Sequence, residues 1–201
     1  MKIIVWNSQD KCVADYHKLI RGCDVLCLLD CGQWTVPMYA LQIQNGLFHW
    51  KDEHEGLSYD IFYCLEKVAF VCRDGLYSGE SVLYSIHSNI GSLIGIRLQD
   101  DFWLFAHHEP NLVNAYHIGE FYLREISDRF RKAAFIADFK KKSYSWVQET
   151  VGKLYCIALP EGYYPHTVNY LFTIHVACTD LYLLEGYSEI SNQPTFFELD
   201  I

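Results

Sequence analysis

Asp24-Val25-Leu26-Cys27-Leu28-Leu29-Asp30-Cys31-Gly32 is the stretch on which the reading of this chain turns. From Val25 to Leu29 no polar residue interrupts the run. An apolar run this short, bounded by Asp on both sides, reads as a strand buried on both faces. Upstream, Met1–Trp6 is a second such run and ends at Asn7. Between the two, Asp10–Arg21 carries Val13, Tyr16, Leu19 and Ile20 at helical spacing. Strand, helix and strand at this length predict a βαβ opening with the two strands parallel.

Downstream, five short β-rich runs follow: Tyr59–Leu65, Val68–Arg73, Gly79–Tyr84, Ser92–Leu98 and Phe102–His107. Asp74-Gly75 and Asp100-Asp101 are turn signals between neighbours. Asn114–Arg131 has the clearest helical periodicity, through Tyr116, Phe121, Leu123, Ile126 and Phe130. Ala133–Phe139 reads as a strand and Ser143–Val151 as a short helix. Thr167–His175, Thr179–Glu185 and Thr195–Asp200 read as closing strands. Many strands and few helices, with no linker or repeat, predict one α/β (α+β) domain over residues 1–201. Its expected architecture is a four-layer sandwich: two mainly antiparallel sheets face to face, with helices on the outside.

Composition narrows the function classes. Hydrophobic residues make up 51% of the 201 residues and aromatics 16%, which is far from a disordered chain. The formal net charge of −9 argues against nucleic acid as a tight, non-specific partner. The N-terminus lacks the apolar stretch of a secretory signal, and no run approaches the length of a membrane span. The expectation is a soluble cytoplasmic protein with no membrane partner. The eight cysteines show no C-x-x-C spacing and several sit inside apolar runs, so reduced core thiols are expected.

Six segments then fall in one order along the chain. Val5-Trp6-Asn7-Ser8-Gln9 resembles the first-strand W-N-x-Q signature of the endonuclease/exonuclease/phosphatase superfamily, and Asp24–Gly32 resembles its D-I-L-x-x-Q-E-x-G signature. Ile94–Leu98 followed by Phe105-Ala106-His107 resembles the central strands leading to a phosphate-site His. Phe135-Ile136-Ala137-Asp138-Phe139 resembles G-D-F-N, Val168-Asn169-Tyr170 resembles L-D-Y, and Ser191-Asn192-Gln193 before Pro194 resembles S-D-H. Ser92–His107 is most similar to deoxyribonuclease-I-like proteins, above all to cytolethal distending toxin B subunits.

The resemblance implies metal-assisted hydrolysis of a phosphate ester. A carboxylate holds Mg²⁺, and a His oriented by a second carboxylate activates water. Carried over residue by residue, the pattern is incomplete. Asn7, His107 and Asp138 stand where the family has the same residue types, with neighbouring His108 as the alternative register for the His. Asp30 stands where the family has its metal-binding Glu, one methylene longer. Lys140 replaces the Asn of G-D-F-N, Asn169 the Asp of L-D-Y, Asn192 the orienting Asp, and Gln193 the general-base His. An amide has no useful basicity at neutral pH. The expectation is therefore a pseudoenzyme that binds a protein partner or a phosphorylated ligand, with no cofactor and at most weak Mg²⁺ binding at Asp30. Two alternatives stand beside it. One is an active metal-dependent phosphodiesterase using His108 or His166 as a substitute base. The other is a binding protein unrelated to nucleases.

Overall fold

A computed structural model of the protein describes residues 1–8, 16–44, 46–65, 68–85, 92–108, 126, 128–139, 153–155, 168–184 and 193–201. The expected helix over Ser143–Val151, and all of Asn114–Arg131 except Ile126 and residues 128–131, lie outside these residues. Cys12, Cys156, Lys140, His166 and Asn192 lie outside them as well.

The βαβ opening is present. Strand β1 (Lys2–Asn7) pairs in parallel with β2 (Val25–Leu29), Ile3 opposite Val25 and Asn7 opposite Leu29, and helix α1 (Tyr16–Ile20) lies between them in sequence. The strands β3 (Leu41–Gln44), β4 (Leu47–His54), β5 (Leu57–Cys64) and β6 (Val68–Arg73) extend this sheet beyond β2. On its other side stand β13 (Ala177–Leu183) and β14 (Thr195–Asp200). The order is β13-β14-β1-β2-β6-β5-β4-β3, and every pairing except β1–β2 is antiparallel.

The second sheet contains β7 (Tyr77–Ser85), β8 (Ser92–Leu98), β9 (Phe102–His107), β10 (Lys132–Phe139), β11 (Lys153–Tyr155) and β12 (Val168–Ile174), in the order β11-β12-β10-β9-β8-β7. It too has a single parallel pair, β9 with β10, flanked by antiparallel partners.

Strand alternation builds the core between the sheets. Ile3, Val5, Val25, Cys27, Leu29, Phe62, Val68 and Phe70 from the first sheet meet Ile94, Ile96, Leu104, Ala106, Ile136 and Leu171 from the second in one buried cluster. The intervening residues Ile4, Trp6, Leu26, Leu28, Ile61, Tyr63 and Val71 face the other way. There they pack with Tyr16, Leu19 and Ile20 of α1, and with Trp34. The continuous apolar runs of β1, β2 and β6 follow from this burial on both faces. On the outer side of the second sheet, Phe130 packs its ring against Trp103 and Phe105, both centroids 4.9 Å away, just after the helical residues Ile126, Asp128 and Arg129.

The described cysteines Cys23, Cys27, Cys31, Cys64, Cys72 and Cys178 are free thiols, and all but Cys178 are buried. Burial pushes the Cys23 thiol up to about 12 and raises Cys72 well above its ordinary value. Cys27 faces the inter-sheet core, whereas Cys23 and Cys31 fall beyond the strand ends and join the outer cluster. Among the described residues, no helix is long and apolar enough to cross a membrane.

The structure differs from the sequence reading in two instructive places. The strands β3 and β4 were not expected. Gln44 pairs with Leu47 across Asn45-Gly46, a strong hairpin signal, and Gly46 has φ +84°. His54 pairs with Leu57 across Glu55-Gly56, where both residues have positive φ, 52° and 76°. Glu at the first position of such a turn carries no sequence signal. The Asp74-Gly75 turn does form, with Gly75 at φ +85°, but it joins β6 of one sheet to β7 of the other rather than two neighbours.

Candidate functional site

The two parallel pairs are where the chain can place side chains with most precision. β1 and β2 end at Asn7 and Leu29, and β9 and β10 end at His107 and Phe139. The register sets Ala137 opposite His107, and Asp138, one residue further, opposite Asn169 of β12. Carboxyl ends of parallel strands leave room for a ligand because the chain must turn away there.

On the first sheet this end is tightly built. Asn7 is buried, and the Ser8 N–H donates to the Leu29 carbonyl at 3.0 Å, which extends the β1–β2 ladder by one rung. The Ser8 hydroxyl donates to the Asp30 carbonyl at 3.2 Å. Asp30 has φ +46°, in the left-handed region, which Asp tolerates better than most residues. The chain therefore turns sharply at Asp30 and carries its carboxylate out of the strand.

On the second sheet, Phe102, Leu104 and Ala106 point into the inter-sheet core, and His108 continues that alternation. Its Nε2 lies 3.5 Å from Asp30 Oδ1, and the two side chains are 9% and 24% exposed. This contact joins the ends of the two parallel pairs. His107 falls on the opposite alternation, with Trp103 and Phe105, and is fully buried. Of the two registers open from sequence, His108 is the one that meets the Asp30 carboxylate.

Gln193 belongs to the same end. β14 runs antiparallel to β1 with Val5 opposite Thr195 and Lys2 opposite Glu198. Gln193 precedes β14 by two residues, as Asn7 follows Val5 by two on β1. Gln193 is half-buried. The structure thus brings together Asn7, Asp30 and His108, with Gln193, Asp138 and Asn169 at neighbouring strand ends. Ser8 is the participant that the sequence reading passed over. Its only signal was a small polar residue directly after Asn7.

A divalent cation of the Mg²⁺ type needs several oxygen ligands in near-octahedral geometry. Asp30 brings one carboxylate, but its neighbour is the His108 imidazole, a donor suited to softer metals. Among the described residues, no group of three or more His, Cys, Asp or Glu is arranged to hold a metal ion. The described donors in contact here, one carboxylate and one imidazole, are fewer oxygens than Mg²⁺ takes. The chemistry available is an imidazole beside a carboxylate, rimmed by amides and a hydroxyl.

No protein-family model matches the chain, and no curated protein matches it in sequence. Solved structures do. A humanized D. rerio TDP2 carrying 14 mutations superposes with a TM-score of 0.62 at 11% identity, covering 100% of this chain and 99% of that one. An endonuclease/exonuclease/phosphatase from Beutenbergia cavernae superposes with a TM-score of 0.59 at 13% identity, covering 100% of this chain and 71% of that one. The 3′-5′ exonuclease NExo from Neisseria meningitidis gives a TM-score of 0.54 at 15% identity, with 100% of both chains covered. A Cimex nitrophorin in a ferrous NO complex is also similar, with a TM-score of 0.52 at 9% identity over 98% of this chain and 96% of that one. One scaffold therefore serves proteins with very different names, and function must be argued from the site. What the likeness establishes is architecture: two mixed sheets, one parallel pair in each, in the endonuclease/exonuclease/phosphatase fold.

Proposed function

We propose that this protein binds a phosphorylated ligand at the shared carboxyl end of its two parallel strand pairs and does not hydrolyse it. The observation that carries this reading is the position of Gln193. Gln193 stands two residues before β14, whose last pair with β1 is Val5–Thr195, at the sequence position where the resemblance calls for the general-base His. A general base is worth about 10²–10⁴ in rate, and a carboxamide cannot supply it. Asn169, opposite Asp138, repeats the pattern: an amide stands where the family has a carboxylate. Replacing carboxylates with amides lowers the negative charge that would repel a phosphate, while His108 and Asn7 keep hydrogen-bonding groups at the same end.

The His108–Asp30 contact favours a second reading. A carboxylate beside an imidazole is also the arrangement of a general base and its orienting group. On that reading the protein is an active phosphodiesterase whose base has moved from the β14 end to the β9 end.

One experiment separates the two. The purified protein is assayed for nicking of supercoiled plasmid with Mg²⁺ or Mn²⁺, and for binding of inorganic phosphate by calorimetry. The binding reading expects no nicking, and phosphate binding that His108→Ala weakens. Nicking by the wild type that His108→Ala abolishes overturns it in favour of the second reading. Nicking indifferent to His108→Ala marks a contaminating nuclease.

A further inference from the structure

On the outer face of the larger sheet, away from the strand ends described above, two histidines are stacked. His17 on α1 and His54 at the end of β4 lie with ring centroids 3.8 Å apart and 14° between their planes. The remaining polar contacts between α1 and the β4–β5 hairpin surround this stack. The Tyr16 hydroxyl donates to Asp52, and Arg21 pairs with Glu55. His17 Nε2 stands 3.9 Å from Asp52 Oδ2, and His54 Nε2 stands 3.7 Å from Glu55 Oε1. Tyr59 of β5 closes the cluster, its ring 6.2 Å from that of His17.

The geometry suits the uncharged pair. His17 Nδ1 is shut off from solvent and has no hydrogen-bond partner among the described residues. A proton there would add an N–H with no acceptor, which is costly in a buried position. A second charge on His54 would then face the first at stacking distance. The described residues of α1 dock through the buried side chains of Tyr16, Leu19 and Ile20.

We propose that the His17–His54 stack is a pH-sensitive latch that holds α1 against the β4–β5 hairpin at neutral pH and releases it on acidification. Burial, then the nearby His54, hold the His17 imidazole below its ordinary value of 6.5; Arg21 adds to this, and Asp52 and Glu55 oppose it. A depressed imidazole contributes stability that is complete above 6.5 and is lost as pH falls from there through its lower folded-state value.

Cys23 supplies a local readout. It is buried directly behind the end of α1, with its thiol on the Leu19 carbonyl at 3.7 Å. Cys72 is buried in the inter-sheet core, so it is exposed by global unfolding rather than by release of α1. Both thiols are labelled with a dipyridyl disulfide, which reacts at acidic pH, and are located by mass spectrometry. The ratio of Cys23 to Cys72 labelling rates is compared at pH 7.5 and pH 5.0. The wild-type ratio is expected to rise by about fivefold, the factor for two unit charges at about 4 Å even with bulk-water screening. In His17→Gln it is expected to stay nearly constant, and in His54→Gln to rise clearly less than in the wild type, since the burial of His17 remains. His54→Phe, which keeps a stacked ring without a titrating group, should behave as His54→Gln does. A constant ratio in the wild type, or an equal rise in the variants, would overturn the latch.

Discussion

Asp30 offers the sharpest test of how the candidate site is built, because its conformation and its charge can be removed separately. Its φ of +46° lies in the left-handed region, which costs most non-glycine residues about 1–2 kcal/mol and Asn or Asp less. Its carboxylate faces His108 at 3.5 Å with side-chain exposures of 9% and 24%. At 24% exposure the Asp30 side chain stands between surface and interior, so loss of its His108 contact is worth about 1 kcal/mol, the scale of one partly solvated polar contact. Asp30→Asn keeps the backbone preference and removes the charge, so it should cost about 1 kcal/mol. Asp30→Gly should match it within about 0.5 kcal/mol, since relief at φ +46° offsets the entropy glycine adds to the unfolded chain. Asp30→Ala should cost about 1 kcal/mol more than Asp30→Gly, and Asp30→Val more again, because a β-branched residue suits the left-handed region least. Urea denaturation at pH 7.5 with an unchanged slope measures the series. Asp30→Val as stable as Asp30→Gly would refute the left-handed turn. Asp30→Asn as stable as wild type would show that the His108 contact contributes nothing.

Four further outcomes follow from the same structure. Gln193→His alone should leave plasmid nicking undetectable, because Asn192 would not orient the new imidazole; adding Asn192→Asp, Asn169→Asp and Lys140→Asn is the combination expected to recover a trace, and strong nicking by the single variant would contradict the loss of a coupled set. Titration calorimetry should find Mg²⁺ binding weaker than about 10⁻⁴ M, the weak end of protein sites for hard cations, and tighter binding abolished by Asp30→Ala would contradict the donor-set argument. His49→Ala should cost about 3–5 kcal/mol, because it strips the partner, at 2.8 Å, from the buried Asp60 carboxylate; Asp60→Ala should cost less, since the His49 left behind can stay neutral, and denaturation midpoints in the reverse order would contradict this. Phe62→Ala should cost about 3–5 kcal/mol by thermal or urea unfolding, since Phe62 is fully buried between His49 and Tyr77 rings 4.5 Å and 4.6 Å away.

By itself the sequence determined those elements whose neighbours are local or whose burial is complete. The uninterrupted runs of β1, β2 and β6 announce strands covered on both faces. Val68–Arg73, Ser92–Leu98, Phe102–His107 and Thr195–Asp200 are strands with the very bounds their composition suggests. The ordered, motif-like segments led to a two-sheet sandwich. Hairpin β4–β5 was not legible, because the outer half of β4, Lys51–His54, is polar and its turn places Glu55 where Asn or Asp is usual. Tertiary structure alone decided three things. It sent the chain from one sheet to the other at Asp74-Gly75, because a turn residue specifies a bend but not which sheet the next strand will join. It chose His108 over His107 as the imidazole that meets Asp30, because that choice depends on which face of β9 looks into the core. And it paired β1 with β14, Val5 opposite Thr195, a pairing between opposite ends of the chain that no local pattern encodes.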